Sequence, residues 1–272
     1  MMTTALLTAP EARDDGVSAR PAGWGLHEPT PEVVAAGASP TRRRTLAVPI
    51  RAGERMNQPT FHALAESLPA GVRAELIEGV VVVPPSVTDD HATVHIGAAV
   101  SAGTYNMRTP GVLASDNGSV VLGPESEPQP DVALRLAPEC GGQSRVENRY
   151  VTGAPELVIE IAVSTESTDL HARKRDYERG GVREYVVVAV ERRRVMWFEN
   201  VGGRFEERDP DADGVYRSRQ FPGFWLDPAA LLNQDGPRLL EVIHQGLASP
   251  EHAAFVEELA ARRNATASQE EE

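Results

Sequence analysis

Apolar and polar positions recur along this chain with two different periods, and the switches between them mark its elements. Thr60 to Leu68 reads as a short helix that Pro69 ends. Glu75-Leu76-Ile77 and Val80 to Val83 read as two strands joined by a tight turn at Glu78-Gly79, with Pro84-Pro85 closing the hairpin. From Asp89 to Met107 the positions Val94, Ala98, Ala102 and Tyr105 follow helical spacing, with Thr88, Asp89 or Asp90 as the cap. Short strands follow near Val112, at Val120-Val121-Leu122 and from Asp131 to Leu136, and residues Cys140 to Ala154 read as a loop. Glu156 to Val163 is apolar on both faces except at Glu160, the pattern of a central strand covered on both sides. A helix from about Thr168 to Arg179 is stopped by Gly180-Gly181. Glu184 to Val190 and Val195 to Glu199 form a hairpin across Arg192-Arg193, and further strands near Phe205 and Val215 extend the sheet. Pro237 to Leu247 and Pro250 to Arg263 read as two helices outside the main core.

This order of strands and helices predicts a mixed α/β fold, a central sheet flanked by helices with an extra antiparallel layer. Residues 1–55, rich in Ala, Pro, Gly, Thr and Arg, show no sustained period and are expected to form a disordered extension. Its Arg42-Arg43-Arg44 cluster reads as solvated charge. One domain is expected over 56–235, followed over 236–272 by C-terminal helices and an acidic tail.

Charge and cysteine content narrow the function classes. A formal net charge of −13 argues against a general nucleic-acid binder. The charge is uneven, however: the stretch from His171 to Arg194 is locally basic. A lone cysteine, Cys140, excludes an internal disulfide framework and points to a reducing cytoplasm. No apolar run reaches the roughly 20 residues that cross a bilayer, so no membrane partner is expected.

Candidate chemistry gathers around a few acids and one base. Glu160 shares a strand face with Val158 and Ala162, and an ionised carboxylate buried there is costly unless it is paired or metal-bound. Asp131 opens a second strand, and two hard oxygen donors at adjacent strand ends suit Mg²⁺ or Mn²⁺. Glu75, on the first hairpin, is open between a further ligand, an acceptor for a metal-bound water and a solvated edge residue. Lys174 is the only lysine in the chain. Its spacing from Leu170 and Tyr177 places all three on one helix face, the face expected to pack on the sheet beside Glu160. His91 and His95 stand one helical turn apart but lack the neighbours of a zinc site.

The ordered series Asp131, Pro155 to Ile161, Ser164, Ser167, Asp169, Lys174, Tyr177 and Gly181-Val182-Arg183-Glu184-Tyr185 resembles the Uma-type restriction-endonuclease family of the PD-(D/E)xK nuclease superfamily. Ala74 to Gly79, Pro84-Pro85-Ser86 and His91 are similar to that family's opening pattern. The resemblance spans about Pro59 to Leu232. It implies a restriction-endonuclease-like core in which Asp131, Glu160 and the carbonyl of Ile161 hold the metal and Glu75 completes the site. The superfamily's lysine two residues after the glutamate falls on Ala162, so Lys174 on the next helix is expected to replace it. Arg173, Arg175, Arg192 and Arg193 are expected to touch DNA phosphates, and a homodimer is expected to cut both strands. The implied activity is metal-dependent hydrolysis of DNA. A catalytically silent nuclease-fold assembly module and a hydrolase of small phosphorylated molecules are the rivals.

Overall fold

In the computed structural model the described residues are 50–69 and 71–270. The Arg42-Arg43-Arg44 cluster, most of the expected N-terminal extension and the last two glutamates lie outside them. Helix α1 (Gln58–Ala65) starts where the Asn57 side chain accepts the Thr60 N–H at 3.0 Å. Strands β1 (Glu75–Ile77) and β2 (Val80–Val82) pair antiparallel around a turn with φ of 51° at Glu78 and 73° at Gly79. Positive φ at both central residues is the backbone that matches the twist of a two-residue hairpin. Ile50, Phe61, Leu76 and Val81 form a small core of their own, so the ordered chain reaches upstream of residue 56.

Helix α2 (Asp89–Arg108) carries Thr88 as its cap and leads through β3 (Val112–Asp116) and β4 (Val120–Val121) to β5 (Val132–Leu136). The segment expected as a loop after Cys140 instead contains the paired strands β6 (Arg145–Glu147) and β7 (Tyr150–Thr152), with β4 alongside β7. Their exposed and half-buried side chains give no two-sided apolar signal, which is why the sequence pattern hides them. The central strand β8 (Leu157–Ala162) is followed by α3 (Glu166–Leu170), α4 (Ala172–Gly180), β9 (Glu184–Ala189), β10 (Arg194–Val201) and β11 (Arg204–Arg208). The single helix expected over Thr168 to Arg179 is thus broken at His171, where φ is −122° and ψ −83°.

The main sheet runs β11-β10-β9-β8-β5-β3. Only β8 and β9 pair parallel, joined by the α3–α4 crossover. Alternation along β8 divides the core: Leu157, Ile159 and Ile161 face α2, while Val158, Ala162 and Tyr177 of α4 pack on the other side. Glu160 therefore lies beneath α4. A Cβ at Gly180 would stand 2.4 Å from Leu122, so the end of α4 needs glycine to approach that loop.

After β12 (Tyr216–Arg217) and β13 (Trp225–Leu226) come α5 (Pro228–Leu232), α6 (Gly236–Leu247) and α7 (Pro250–Glu270). These helices are not peripheral, as the sequence pattern had suggested. Leu239, Ile243, Phe255 and Leu259 join the main core with α2, covering the sheet face that α4 does not.

Candidate functional site

The parallel pairing of β8 with β9 sends the chain from β8 over the sheet into α3 and α4, and the crossover leaves a cavity of about 80 Å³ at the C-terminal end of β8. Glu75, Asp131, Glu160, Asp169 and Arg173 line it. Each comes from a different element or junction: β1, the residue before β5, β8, α3 and α4. Three of the residues expected at the site, Glu75, Asp131 and Glu160, are brought together here, although Glu75 stands far away in sequence.

Asp131 is held by donors on two sides. The Ile161 N–H donates to its Oδ2 at 2.8 Å, and His91 Nε2 lies 3.2 Å from the same oxygen. Burial alone would raise its pKa, but the His91 contact and the Ile161 N–H outweigh it and hold the carboxyl below its ordinary value. Ile161 lines the cavity, with its N–H engaged in this bond.

Glu160 is 3% exposed and receives two donors on one oxygen: the Tyr177 hydroxyl at 2.7 Å and Arg173 Nη1 at 3.0 Å. Burial pushes its pKa well above the ordinary value, Arg173 opposes the shift, and the neighbouring Asp131, Asp169 and Glu75 add to it. Glu75 and Asp169 are also raised, first by burial and against the pull of Arg173. Glu75, Glu160 and Asp169 bind protons more tightly than isolated carboxyls because burial disfavours their charge and the three share one guanidinium.

That guanidinium belongs to Arg173. Its Nη2 lies 3.1 Å from Glu75 Oε2 and its Nε 3.0 Å from Asp169 Oδ1. Both are ion-pair distances outside hydrogen-bond geometry, so Glu75 Oε2 and Arg173 Nε remain buried without an aligned partner. Burial disfavours the charge on Arg173, but Glu160 and Glu75 reverse this and lift its pKa further above its usual value.

Lys174 does not join this cluster. Its Nζ sits 3.7 Å from the centroid of the Phe198 ring on β10, and half-burial lowers its pKa against Glu178 and Glu207. Consecutive helical residues point about 100° apart. The face of α4 over β8 is therefore taken by Arg173, and Lys174 is carried toward β10. The expected neighbour of Glu160 is corrected by one residue, from Lys174 to Arg173.

The same placement corrects Arg173 as a surface phosphate contact, since it is buried among carboxylates. Arg175 and Arg192 are exposed but engaged, with Glu78 at 2.7 Å and Glu166 at 3.2 Å. Arg193 bonds to the Asn233 side chain. Glu78, fixed at the hairpin turn, holds both Arg175 and Arg179 of α4, which ties the hairpin bearing Glu75 to the helix bearing Arg173.

His91 and His95 serve different acids. His95 Nε2 lies 2.8 Å from Asp116 Oδ1 and 3.1 Å from the Asp131 carbonyl oxygen. Among the described residues no three of His, Cys, Asp and Glu are arranged to hold a metal ion. In the sequence Asp169 stands out only in the family-like series and Arg173 only as a phosphate contact, yet Asp169, Arg173 and Tyr177 are spaced by four and could have been read as one stripe.

A solved structure described as a putative nuclease belonging to DUF820 from Anabaena variabilis is similar, with 17% identity and a TM-score of 0.47 over 62% of this chain and 95% of that one. No curated protein matches. The family model Uma2, described as "Putative restriction endonuclease", matches residues 58–229, more than half of the chain. The chain belongs to the Uma2 family.

Proposed function

We propose that this protein is a nuclease that hydrolyses DNA phosphodiester bonds with the help of a divalent cation. One observation carries the proposal: Glu75, Asp131, Glu160 and Asp169 line one cavity, and three of them, Glu75, Glu160 and Asp169, pair with the same guanidinium, that of Arg173. Such an excess of buried negative charge is costly unless a further cation enters.

The donor set fits Mg²⁺ or Mn²⁺. All the acids are hard oxygen donors, and Glu75 Oε2 is buried without an aligned partner. Mg²⁺ is commonly held by one or two carboxylates and completes its shell with water and substrate phosphate. Asp131 and Glu160 would hold the ion, with the Ile161 carbonyl as a further oxygen. When bound, the ion polarises the phosphate and makes coordinated water more acidic.

The chain's own groups divide the remaining work. The Ile161 N–H and His91 fix the orientation of Asp131, and Tyr177 and Arg173 fix that of Glu160. Arginine stays protonated at any working pH, so Arg173 cannot act as a base; it offers charge to the phosphate. Glu75 accepts the proton of the attacking water at Oε2. The new bond joins water oxygen to phosphorus, the bond to the sugar oxygen breaks, and that oxygen takes a proton from solvent. Two sites are needed to cut both strands, so a homodimer belongs to the proposal.

A second reading rests on the same arginine. Arg173 already bridges Glu75, Glu160 and Asp169, as a catalytically silent module would retain. Plasmid nicking with Mn²⁺, Mg²⁺ or EDTA, alongside Asp131→Ala, separates the two. Metal-dependent nicking that Asp131→Ala abolishes supports the nuclease. Absence of both nicking and calorimetric metal binding supports the silent module.

A further inference from the structure

The cavity is lined by a second arginine, Arg73, two residues before Glu75. Its setting differs from that of Arg173. Arg73 Nε donates to Gln129 Oε1 at 2.8 Å and Nη2 to Asn117 Oδ1 at 2.7 Å. Both acceptors are neutral amides. Among the described residues Arg73 takes part in no ion pair, whereas Arg173, Arg175, Arg179 and Arg192 each face a carboxylate.

The amides form a built cradle. Gln129 Nε2 donates to the Asn117 carbonyl at 2.6 Å, and the Asn117 N–H donates to the Asp131 carbonyl at 3.1 Å. Asn117 takes a left-handed backbone with φ of 51°, a conformation that asparagine tolerates better than most residues. Such a cradle orients a guanidinium without neutralising it. A guanidinium has five N–H donors in a flat fork suited to two phosphate oxygens, and the two bonds to amides leave the others for a ligand.

Position agrees with this chemistry. Arg73 is half-buried and also lines two neighbouring cavities, one beside His62 and Glu127 and the other beside His95 and Asp116. An extended polyanion crossing from one cavity to the next would pass it. An acidic protein that acts on a polyanion needs un-neutralised cations at its site, and Arg73 is placed to be one.

We infer that Arg73 anchors a backbone phosphate of an extended nucleic-acid strand next to the carboxylate site, presented by Gln129 and Asn117. The inference rests on the nuclease reading proposed above. A purely structural role, pinning the loop before β1 to those two amides, is the alternative.

Binding of a fluorescein-labelled DNA duplex, measured by anisotropy over a salt series in EDTA and in Mg²⁺, tests it with Arg73→Gln and Gln129→Glu, each checked for folding by thermal denaturation. Arg73→Gln should weaken binding roughly tenfold and reduce the slope of log K against log salt by about 0.9, the loss of one phosphate contact. Gln129→Glu supplies a carboxylate to Arg73 while keeping the side-chain shape. It gives up the Nε2 bond to the Asn117 carbonyl, so a small loss of melting temperature is expected, but Arg73 stays pinned by an ion pair while binding weakens, an outcome that a structural role of Arg73 does not produce. If the wild type binds and both folded variants bind equally well with the same slope, the anchor is overturned and the nuclease reading survives. If the wild type neither binds nor cleaves DNA, both fall together.

Discussion

The two ends of the central parallel strands both bury carboxylates, but they treat them differently. At the N-terminal end, Glu156 precedes β8 and accepts the Leu136 N–H at 2.8 Å on one oxygen and the Gln143 N–H at 3.0 Å on the other. Glu184, the first residue of β9, accepts the Arg219 N–H at 2.9 Å and the Ser218 hydroxyl. Each acid is satisfied singly by donors that would otherwise be orphaned. At the C-terminal end, Glu75, Glu160 and Asp169 share the Arg173 guanidinium and, with Asp131, face a cavity. Burial alone therefore does not identify a functional acid. The mark of the site is carboxylates that compete for too few partners.

The largest test of this contrast is removal of Arg173. Arg173→Met should destabilise the fold by about 3–5 kcal/mol at neutral pH, because it leaves several buried charges without compensation. Millimolar Mg²⁺ should then raise the melting temperature of the variant more than that of the wild type. Equal responses to Mg²⁺ would count against a cation taking the place of the lost charge.

Next comes Glu160→Gln, which keeps the side-chain shape and can still accept from Tyr177 and Arg173. Cleavage should fall by about a hundredfold or more, as when a group that stabilises the transition state is lost, with the urea midpoint held or raised. An unfolded variant would place Glu160 with the structural acids instead.

At the opposite end the effects should be reversed. Glu156→Ala strands the Leu136 and Gln143 N–H groups and should cost about 2–3 kcal/mol in urea denaturation. Cleavage per folded molecule should remain unchanged. A large loss of activity in a stable Glu156→Ala protein would erase the distinction between the two ends.

Titration probes what the two ends share, with a smaller effect, since burial raises the pKa of Glu75, Glu160 and Asp169 as well. Burial raises the pKa of Glu184 above the ordinary 4.5, against the Ser218 and Arg219 hydrogen bonds. A raised acid favours folding most below its unfolded pKa, and that contribution is lost as pH rises through the folded value. Stability should thus decline as pH climbs above 4.5, and Glu184→Gln should flatten that part of the profile in melts at stepped pH.

Much of this fold was legible in the sequence. The two-sided apolar run of β8 exposed Glu160, and Glu78-Gly79 announced a hairpin that the positive φ values bear out. The β6–β7 pair was hidden because its side chains are not buried, and the apolar stripe of α6 looks the same whichever surface it covers. Arg73 could be placed at the cavity only by tertiary structure, and Glu75 only by the family resemblance, since no period links β1 to β8.

The sharpest local lesson concerns two adjacent cations. Rarity made Lys174 the notable residue, but rarity is a property of composition, while the cavity selects by helix angle. The stripe 170, 174, 177 and the stripe 169, 173, 177 share Tyr177 and differ by one residue elsewhere, and the second faces Glu160. Lys174 instead lies against Phe198, a cation–π contact worth about 0.5–1 kcal/mol at a partly exposed site. Lys174→Arg should keep that contact, and Lys174→Ala should lose only this small stabilisation; both should cleave DNA at the wild-type rate. A variant that folds normally but loses cleavage in both forms would return the catalytic cation to Lys174.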